Sequence, residues 1–391
     1  MDLTIYPGKL RGEITVIPSK SQAHRLLICA AFADKPTTII CPETNRDIQA
    51  TVQCLNACGA SILSTANGFT VTPAREIPAQ AVLPCQDSGS TLRFLLPVVA
   101  ALGIHAVFQM TGRLPQRPLS PLWEELERHG CKLTRPSTDT LRCQGKLEPG
   151  VYSIDGGVSS QFITGLLLGL SLLDGESQLK TTGKLESKPY IDLTKAAMAV
   201  FGADPEHPGR HPFRSPSEVT VEGDWSNGAF WLTAKSLGSE LNIHGLHANS
   251  AQGDRVVTSL LSMLQAKKAT ISVSDIPDLV PILSVFAACN HGAIFTDIQR
   301  LRLKESDRVA STIAMLEALG GKAEADENTL TVFSTGLLGG TVDAVNDHRI
   351  AMAAAIAATV CSQQVTVLGA ECVEKSYPRF WEEYHRLGGK L

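Results

Sequence analysis

The stretch "LNACGASI", residues 55–62, reads as the end of an apolar helix, a glycine, and the beginning of a strand. The same pattern recurs as "LERHGCKL" at 126, "MAVFGADP" at 198, "LEALGGKA" at 316 and "YHRLGGKL" at 384. Gly59, Gly130, Gly202, Gly320 and Gly388 stand where a chain leaving a helix needs the left-handed conformation that glycine adopts without steric cost. Neighbouring copies lie roughly 70 residues apart, except for one gap wide enough for a further copy. "LLSMLQAKKATI" at 260 fills that gap as a version without its glycine. Six copies of roughly 65 residues point to one supersecondary unit repeated along an α/β chain. The polar seam "VEGDWSNGAF" (221–230) follows the third copy and suggests two lobes of three units.

With 391 residues, 43% hydrophobic and 19% charged, the chain can bury the cores of two or more domains and is poorly suited to disorder. A formal net charge of −4 gives no reason to expect a nucleic acid, so any functional cations must be gathered locally. No uncharged apolar run approaches the roughly 18 residues of a membrane span. The opening "MDLTIYPGKLRGEITVI" alternates about Pro7 and Gly8, which predicts a hairpin rather than a signal peptide. The 10 cysteines include no CxxC pair, although Cys54 and Cys58 share a helix face; all are expected to be reduced, mostly in the core, in a cytoplasmic protein. His207 and His211 are four apart, but "HPGRHP" cannot be helical and no metal is expected there.

"VIPSKSQAHRLLICAAFA" (16–33) gathers Lys20, His24 and Arg25 at a helix start, where the peptide dipoles are already positive. Cations there make sense when an anion arrives to meet them. The design repeats. "CQDSGSTLRFLLPVVAAL" sets Ser88, Gly89, Ser90 and Thr91 in a cap with Arg93 one turn in, and "DGGVSSQFITGLLLGLSLL" offers Ser159, Ser160 and Gln161 as donors. "RLRLKESDRVASTIAMLEAL" puts Lys304, Glu305 and Arg308 around a helix start, with Lys304 and Arg308 four apart on one face, and "VNDHRIAMAAAIAATV" sets His348 and Arg349 likewise. Together these starts predict a site for a multiply anionic small molecule. No GxxxxGK[ST] loop is present, which disfavours nucleotide hydrolysis.

In chain order, "PSKSQAHR" (18–25), "DSGSTLRF" (87–94), "GRLPQRP" (112–118), "GGVSSQF" (156–162), "SKPYID" (187–192), "VEGDWSN" (221–227), "IPDLVP" (276–281), "LKESDR" (303–308), "NDHRIAM" (346–352) and "KSYP" (375–378) closely resemble the motifs of the 5-enolpyruvylshikimate-3-phosphate synthase family of enolpyruvyl transferases. The resemblance implies a two-lobed inside-out α/β barrel of six βαβαββ units, three per lobe, with the active site in the interlobe cleft. It implies an N-terminal lobe of residues 16–225 and a C-terminal lobe of 1–15 with 226–391, the first strand coming from the N-terminus. The implied reaction moves the enolpyruvyl group of phosphoenolpyruvate to the 5-hydroxyl of shikimate 3-phosphate and releases phosphate. No metal or cofactor, no nucleic acid or membrane partner, and a monomer are expected.

By motif match, the resemblance assigns Lys20, Ser21, Arg25, Ser159, Ser160, Gln161, Ser187, Tyr190, Asp278 and Lys304 to shikimate 3-phosphate. It assigns Lys20, Gly89, Arg117, Gln161, Arg308, Arg349 and Lys375 to phosphoenolpyruvate. The chemistry asks for one acid and one base, each working in both directions; Asp278 near O5 and Glu305 near C3 are the expected pair, with Lys20 and His348 as alternatives. Asp87 stands where many members carry asparagine, Phe94 where some carry proline, and Arg300 where some carry asparagine, which bears on the shape of the phosphoenolpyruvate pocket and on sensitivity to glyphosate. The nearest rival is the sister transferase that acts on UDP-N-acetylglucosamine, which usually places a reactive cysteine before the arginine at the Arg117 position. "MTGRLPQRP" has none. A non-catalytic anion-binding protein is the alternative of another class, and its expected losses at Lys20, Asp278, Glu305 or Lys375 are not seen.

Overall fold

All five repeat glycines take positive φ, between 68° and 101°, so the chain does turn out of a helix at each. The computed structural model describes residues 1–209 and 211–391. These divide into two compact units, an N-terminal unit of residues 18–222 and a C-terminal unit of residues 1–17 with 223–391. The breaks lie two or three residues from the positions expected from sequence. In the N-terminal unit the helices are α1 (Lys20–Ala31), α2 (Arg46–Ala57), α3 (Gly89–Leu102), α4 (Leu122–Arg128), α5 (Ser160–Leu170) and α6 (Lys188–Val200). The C-terminal unit carries α7 (Trp225–Ser236), α8 (Val257–Ala266), α9 (Val280–Ala288), α10 (Arg308–Ala318), α11 (His348–Ala358) and α12 (Phe380–Arg386).

Parallel strand pairs need a crossover, and helices supply it. α3 joins Gln80–Gln86 to His105–Met110, α5 joins Val151–Asp155 to Gln178–Thr182, α9 joins Ala269–Ser272 to Ala293–Thr296, and α11 joins Gly340–Asp343 to Val365–Leu368. Each of these helices therefore begins just past the carboxyl end of a strand, the edge where α/β sheets bind ligands.

The full expected pattern, a parallel pair extended by an antiparallel hairpin, is present in three sheets: after α2 with Gly59, after α4 with Gly130, and after α10 with Gly320. Among the described residues the other sheets are smaller. The pairs Val151–Asp155 with Gln178–Thr182 and Arg11–Thr15 with Glu240–His244 remain two-stranded, and the sheet of Gly340–Asp343 and Val365–Leu368 gains only Leu3–Ile5. In the copy without a glycine, α8 ends at Ala266, its cap Lys267 is in extended backbone (φ −166°), and the chain runs straight into Ala269–Ser272.

The N-terminal hairpin is also not formed. Leu3–Ile5 pairs antiparallel with Val365–Leu368, whereas Arg11–Thr15 pairs in parallel with Glu240–His244, so the Pro7–Gly8 segment passes between two sheets. Alternation identified the strands but carried no information about partners hundreds of residues away. All of the cysteines are unbridged and, Cys289 apart, buried. His207 Nδ1 pairs with Asp204 on the surface, and Arg210 lies outside the described residues. No helix among the described residues is long and apolar enough to cross a membrane. α11 is buried along its whole length; its run of small residues lets α7, α9 and α10 pack closely and starts His348 and Arg349 inside the protein.

Candidate active site

In the N-terminal unit α1 starts at Lys20 because Ser19 caps it, its side chain accepting from the Gln22 amide at 3.4 Å. Lys20 Nζ donates to Asp47 Oδ2 of α2 at 2.9 Å. Arg25, 2% exposed, donates from Nε to Thr194 Oγ1 (2.8 Å), from Nη1 to the Ser21 carbonyl (2.6 Å), and from Nη2 to Thr164 Oγ1 (3.2 Å) and the Tyr190 carbonyl (2.9 Å). These partners are all neutral. Burial lowers the Arg25 pKa to about 9, which leaves the guanidinium charged at neutral pH without a carboxylate against it. A buried cation in that condition favours an incoming anion.

Ser88 caps α3 and Ser159 caps α5, while Ser187, at φ 56°, leads into α6 with Pro189 in its first turn. Gly89 lies so close to Arg117 that an added Cβ would sit 2.7 Å from Arg117 Nη1 and 2.9 Å from Arg93 Nη1. Arg93, 3% exposed, donates to Gln161 Oε1 at 2.8 Å and to the Pro118 carbonyl at 3.1 Å, and Gln161 Nε2 donates to Ser90 Oγ at 3.0 Å. Arg93 thereby fixes which way the Gln161 amide faces. Ser160 is buried in the first turn of α5.

In the C-terminal unit the cations converge on one carboxylate. Asp278, just before α9, accepts from Arg308 Nη1 (2.8 Å) and Arg349 Nη2 (2.9 Å), with Lys304 Nζ at 3.6 Å. Burial works to raise its pKa, but Arg349, Lys304 and Arg308 outweigh that and hold it well below the usual carboxylate range. Arg308 is fully buried and also donates to Glu305 Oε2 (2.8 Å) and from Nε to Asp347 Oδ2 (3.1 Å). Burial opposes its charge, and Asp347, Glu305 and Asp278 more than restore it. Burial brings Lys304 down to about 8 in spite of Asp278. Asp254, which accepts from Ser226, is raised to about 7 by burial and by the Asp278 charge. His348 opens α11 beside Arg349, and Lys375 ends the short helix Ala370–Lys375; both are buried.

The structure therefore brings Lys20, Ser21, Arg25, Gly89, Arg117, Ser159, Ser160, Gln161, Ser187 and Tyr190 to the N-terminal unit, on helix starts or the turn after Leu114–Gln116. Asp278, Lys304, Glu305, Arg308, His348, Arg349 and Lys375 belong to the C-terminal unit. One local reading was wrong. Lys304 and Arg308 do not share a helix face, because Lys304 is in extended backbone and α10 begins only at Arg308, capped by Asp307. They meet at Asp278 instead. The sequence reading missed Asp47 and Asp254. Asp47 sits at an ordinary first-turn position, and only tertiary contact reveals it as the counter-ion of Lys20; Asp347, a neighbour of Arg349 in sequence, pairs with Arg308.

Helix starts at strand ends, buried arginines and a carboxylate ringed by cations define an α/β protein built around small, highly charged anions. The chain belongs to the EPSP synthase (3-phosphoshikimate 1-carboxyvinyltransferase) family, whose model matches residues 5–384. It is 36% identical to the 3-phosphoshikimate 1-carboxyvinyltransferase of Clostridium beijerinckii over 99% of this chain and 98% of that protein. It is equally 36% identical to the Clostridium kluyveri protein of the same name, covering 100% and 98%. Among solved structures, EPSP synthase from Acinetobacter baumannii superposes with a TM-score of 0.80 at 22% identity over 99% of this chain and 98% of that one. The enolpyruvyl transferase NikO from Streptomyces tendae gives 0.74 at 19% identity, covering 99% and 97%. The chain is an enzyme, a transferase of the shikimate pathway that moves the enolpyruvyl group of phosphoenolpyruvate to shikimate 3-phosphate.

Proposed function

We propose that the reaction runs by addition and elimination and that the two clusters divide its chemistry between them. Shikimate 3-phosphate is held by Ser21, Arg25, Ser159, Ser160, Gln161, Ser187 and Tyr190, with Asp278 and Lys304 reaching the same substrate. Phosphoenolpyruvate is held by Lys20, Gly89, Arg117, Gln161, Arg308, Arg349 and Lys375, whose guanidinium forks suit its carboxylate and phosphate. C3 of the enol gains a proton as the 5-hydroxyl loses one and attacks C2. Phosphate then leaves the tetrahedral intermediate as C3 gives a proton back. Asp278 takes the O5 proton and Glu305 serves C3, while Lys20 and His348 are the alternatives for either transfer. The proposal includes a cytoplasmic monomer that uses no metal or organic cofactor.

The observation that carries this reading is the convergence of Arg308, Arg349 and Lys304 on Asp278. So restrained, Asp278 is a weak base. Substrate anions that pair with the same cations weaken their hold on it and raise its proton affinity when a base is needed.

The purified protein should release phosphate only when both substrates are present, with EDTA having no effect. Turnover in heavy water should place deuterium in the vinyl methylene of the product, because C3 is transiently a methyl group. Asp278→Asn and Glu305→Gln should each lower kcat by a factor of roughly 100 or more. Turnover of UDP-N-acetylglucosamine, or product without deuterium, would overturn the proposal, and normal turnover by Glu305→Gln would move the C3 proton to Lys20 or His348.

A further inference from the structure

Four buried polar side chains tie three helices of the N-terminal unit together. His24 Nδ1 lies 2.7 Å from Thr51 Oγ1, Thr51 Oγ1 lies 2.7 Å from Thr91 Oγ1, and Thr91 Oγ1 lies 2.7 Å from Ser88 Oγ. All four residues are 0% exposed. Thr91 also approaches the Asp47 carbonyl at 3.4 Å, and Ser88 Oγ accepts from the Thr91 amide at 3.3 Å as the cap of α3. The chain thus runs from α1, one turn beyond Lys20, across the middle of α2, to the first turn of α3 that carries Gly89.

Proton counting gives this chain a direction. His24 Nε2 is buried and has no hydrogen-bond partner. An N–H placed there would be an orphaned buried donor, which costs more than an unused lone pair. The ring therefore carries its proton on Nδ1 and donates it to Thr51. Thr51 then has only one hydroxyl proton, which goes to Thr91, and that of Thr91 goes to Ser88. Burial, with Lys20 and Arg25 nearby, pushes the imidazole well below its ordinary pKa and keeps it neutral. The Phe94 ring closes the other side, edge-on to His24 (centroids 6.2 Å apart) and 4.9 Å from the Arg25 guanidinium carbon.

We infer that His24 is a positioning residue whose Nδ1–H orders the Thr51–Thr91–Ser88 hydroxyls, and so sets the Ser88–Gly89–Ser90 turn against Lys20 for phosphoenolpyruvate. The inference rests on the proposed assignment of Gly89, Arg117 and Lys20 to that substrate. Shikimate 3-phosphate depends chiefly on Arg25, α5 and α6, whose Arg25–Thr164–Thr194 hydrogen bonds lie apart from the chain; α5 meets the turn through Gln161 Nε2 donating to Ser90 Oγ.

Thr51→Ala interrupts the chain in its middle without adding bulk. It should raise KM for phosphoenolpyruvate about tenfold, the loss of one net hydrogen bond, while Kd for shikimate 3-phosphate changes less than about twofold. Thr51→Ser should restore the parent KM. His24→Asn, whose amide can donate from near the Nδ1 position, should retain more of it than His24→Leu. Imidazole nitrogen NMR should show the His24 ring neutral and protonated at Nδ1, assigned by its loss in His24→Asn. Arg117→Ala separates the two ideas: if its KM for phosphoenolpyruvate is unchanged, the substrate assignment fails. If Arg117→Ala raises KM but Thr51→Ala does not, or Thr51→Ala weakens both substrates equally, the positioning role is wrong. An Nε2–H tautomer refutes the direction of the chain even if the threonine variants do not fold.

Discussion

Replacing Gly89 by alanine should separate phosphoenolpyruvate binding from everything else the protein does. The new Cβ would start 2.7 Å from Arg117 Nη1, 3.2 Å from Arg117 Cζ and 2.9 Å from Arg93 Nη1. Ordinary contact needs about 3.5 Å, so a guanidinium must retreat by roughly 0.8 Å. Arg93 Nη1 must yield too, by roughly 0.6 Å on the same contact distance, but Gln161 and Pro118 hold it in a buried place, so the larger shift falls on Arg117. A charge-assisted contact that loses its geometry forfeits about 1.5 to 3 kcal/mol, or roughly 10- to 150-fold in affinity. Position 89 does not require glycine for its backbone: it opens α3 without positive φ, so alanine should be favoured there by up to about 1 kcal/mol on helix propensity. Steady-state kinetics should therefore show a raised KM for phosphoenolpyruvate and an unchanged Kd for shikimate 3-phosphate, in a protein whose urea midpoint is no lower than the parent's. Glyphosate, placed by family resemblance at the phosphoenolpyruvate position, should weaken in parallel. A Gly89→Ala protein with the parent KM would refute the steric argument and the assignment of Arg117 with it.

Lys304 offers a test by pH. With its pKa near 8, its charge fades above that pH, and Kd for shikimate 3-phosphate should rise between about pH 8 and 10; Lys304→Arg should flatten that rise. Because its folded-state pKa lies below the unfolded 10.5, the cost of burying the charge is complete below pH 8 and relieved as pH rises toward 10.5, so this group adds stability with increasing pH in that window. Asp347→Ala should be destabilising, by about 1 to 3 kcal/mol in urea unfolding, because it removes one of the three carboxylates on the fully buried Arg308 and leaves its Nε without that acceptor. It also removes the cap on the Arg349 amide; Asp347→Asn, which can still accept there, should lose less, and a loss below about 1 kcal/mol for the alanine variant would contradict the pairing.

What the sequence disclosed and what it hid follow from the range of the forces involved. Ser88 was legible as a cap because a cap is settled within three residues of chain. The repeat glycines were legible as helix-ending turns because such a turn is equally local. The partner of Leu3–Ile5 was not legible, since Val365–Leu368 lies at the other end of the chain. Lys304 was misplaced because helical spacing was assumed across Asp307, where the helix had yet to begin. The hydroxyl chain from His24 to Ser88 spans three helices, and no spacing rule applied to one segment could assemble it.

The two clusters handle their positive charge by different means, and that difference has a mechanistic consequence. α2, α4 and α12 carry acids in their first turns, the ordinary way to settle a helix dipole, whereas α1, α3, α5, α6, α10 and α11 carry none. In the N-terminal unit α1, α3 and α5 are capped by neutral serines, and Arg25 has no acid partner, so this cluster is electropositive as it stands. In the C-terminal unit α10 and α11 are capped by Asp307 and Asp347, and Arg308 and Arg349 already hold Asp278, with Glu305 and Asp347 also on Arg308. At Arg25 the first cluster gains an anion without displacing a carboxylate, whereas Lys20, paired with Asp47, has one to exchange. The second must exchange an internal carboxylate for the ligand, and in doing so it frees Asp278 and Glu305, the groups proposed to move protons. Substrate charge thus becomes the trigger for basicity: the carboxylates stay quenched by arginine until phosphoenolpyruvate competes for the same guanidinium groups.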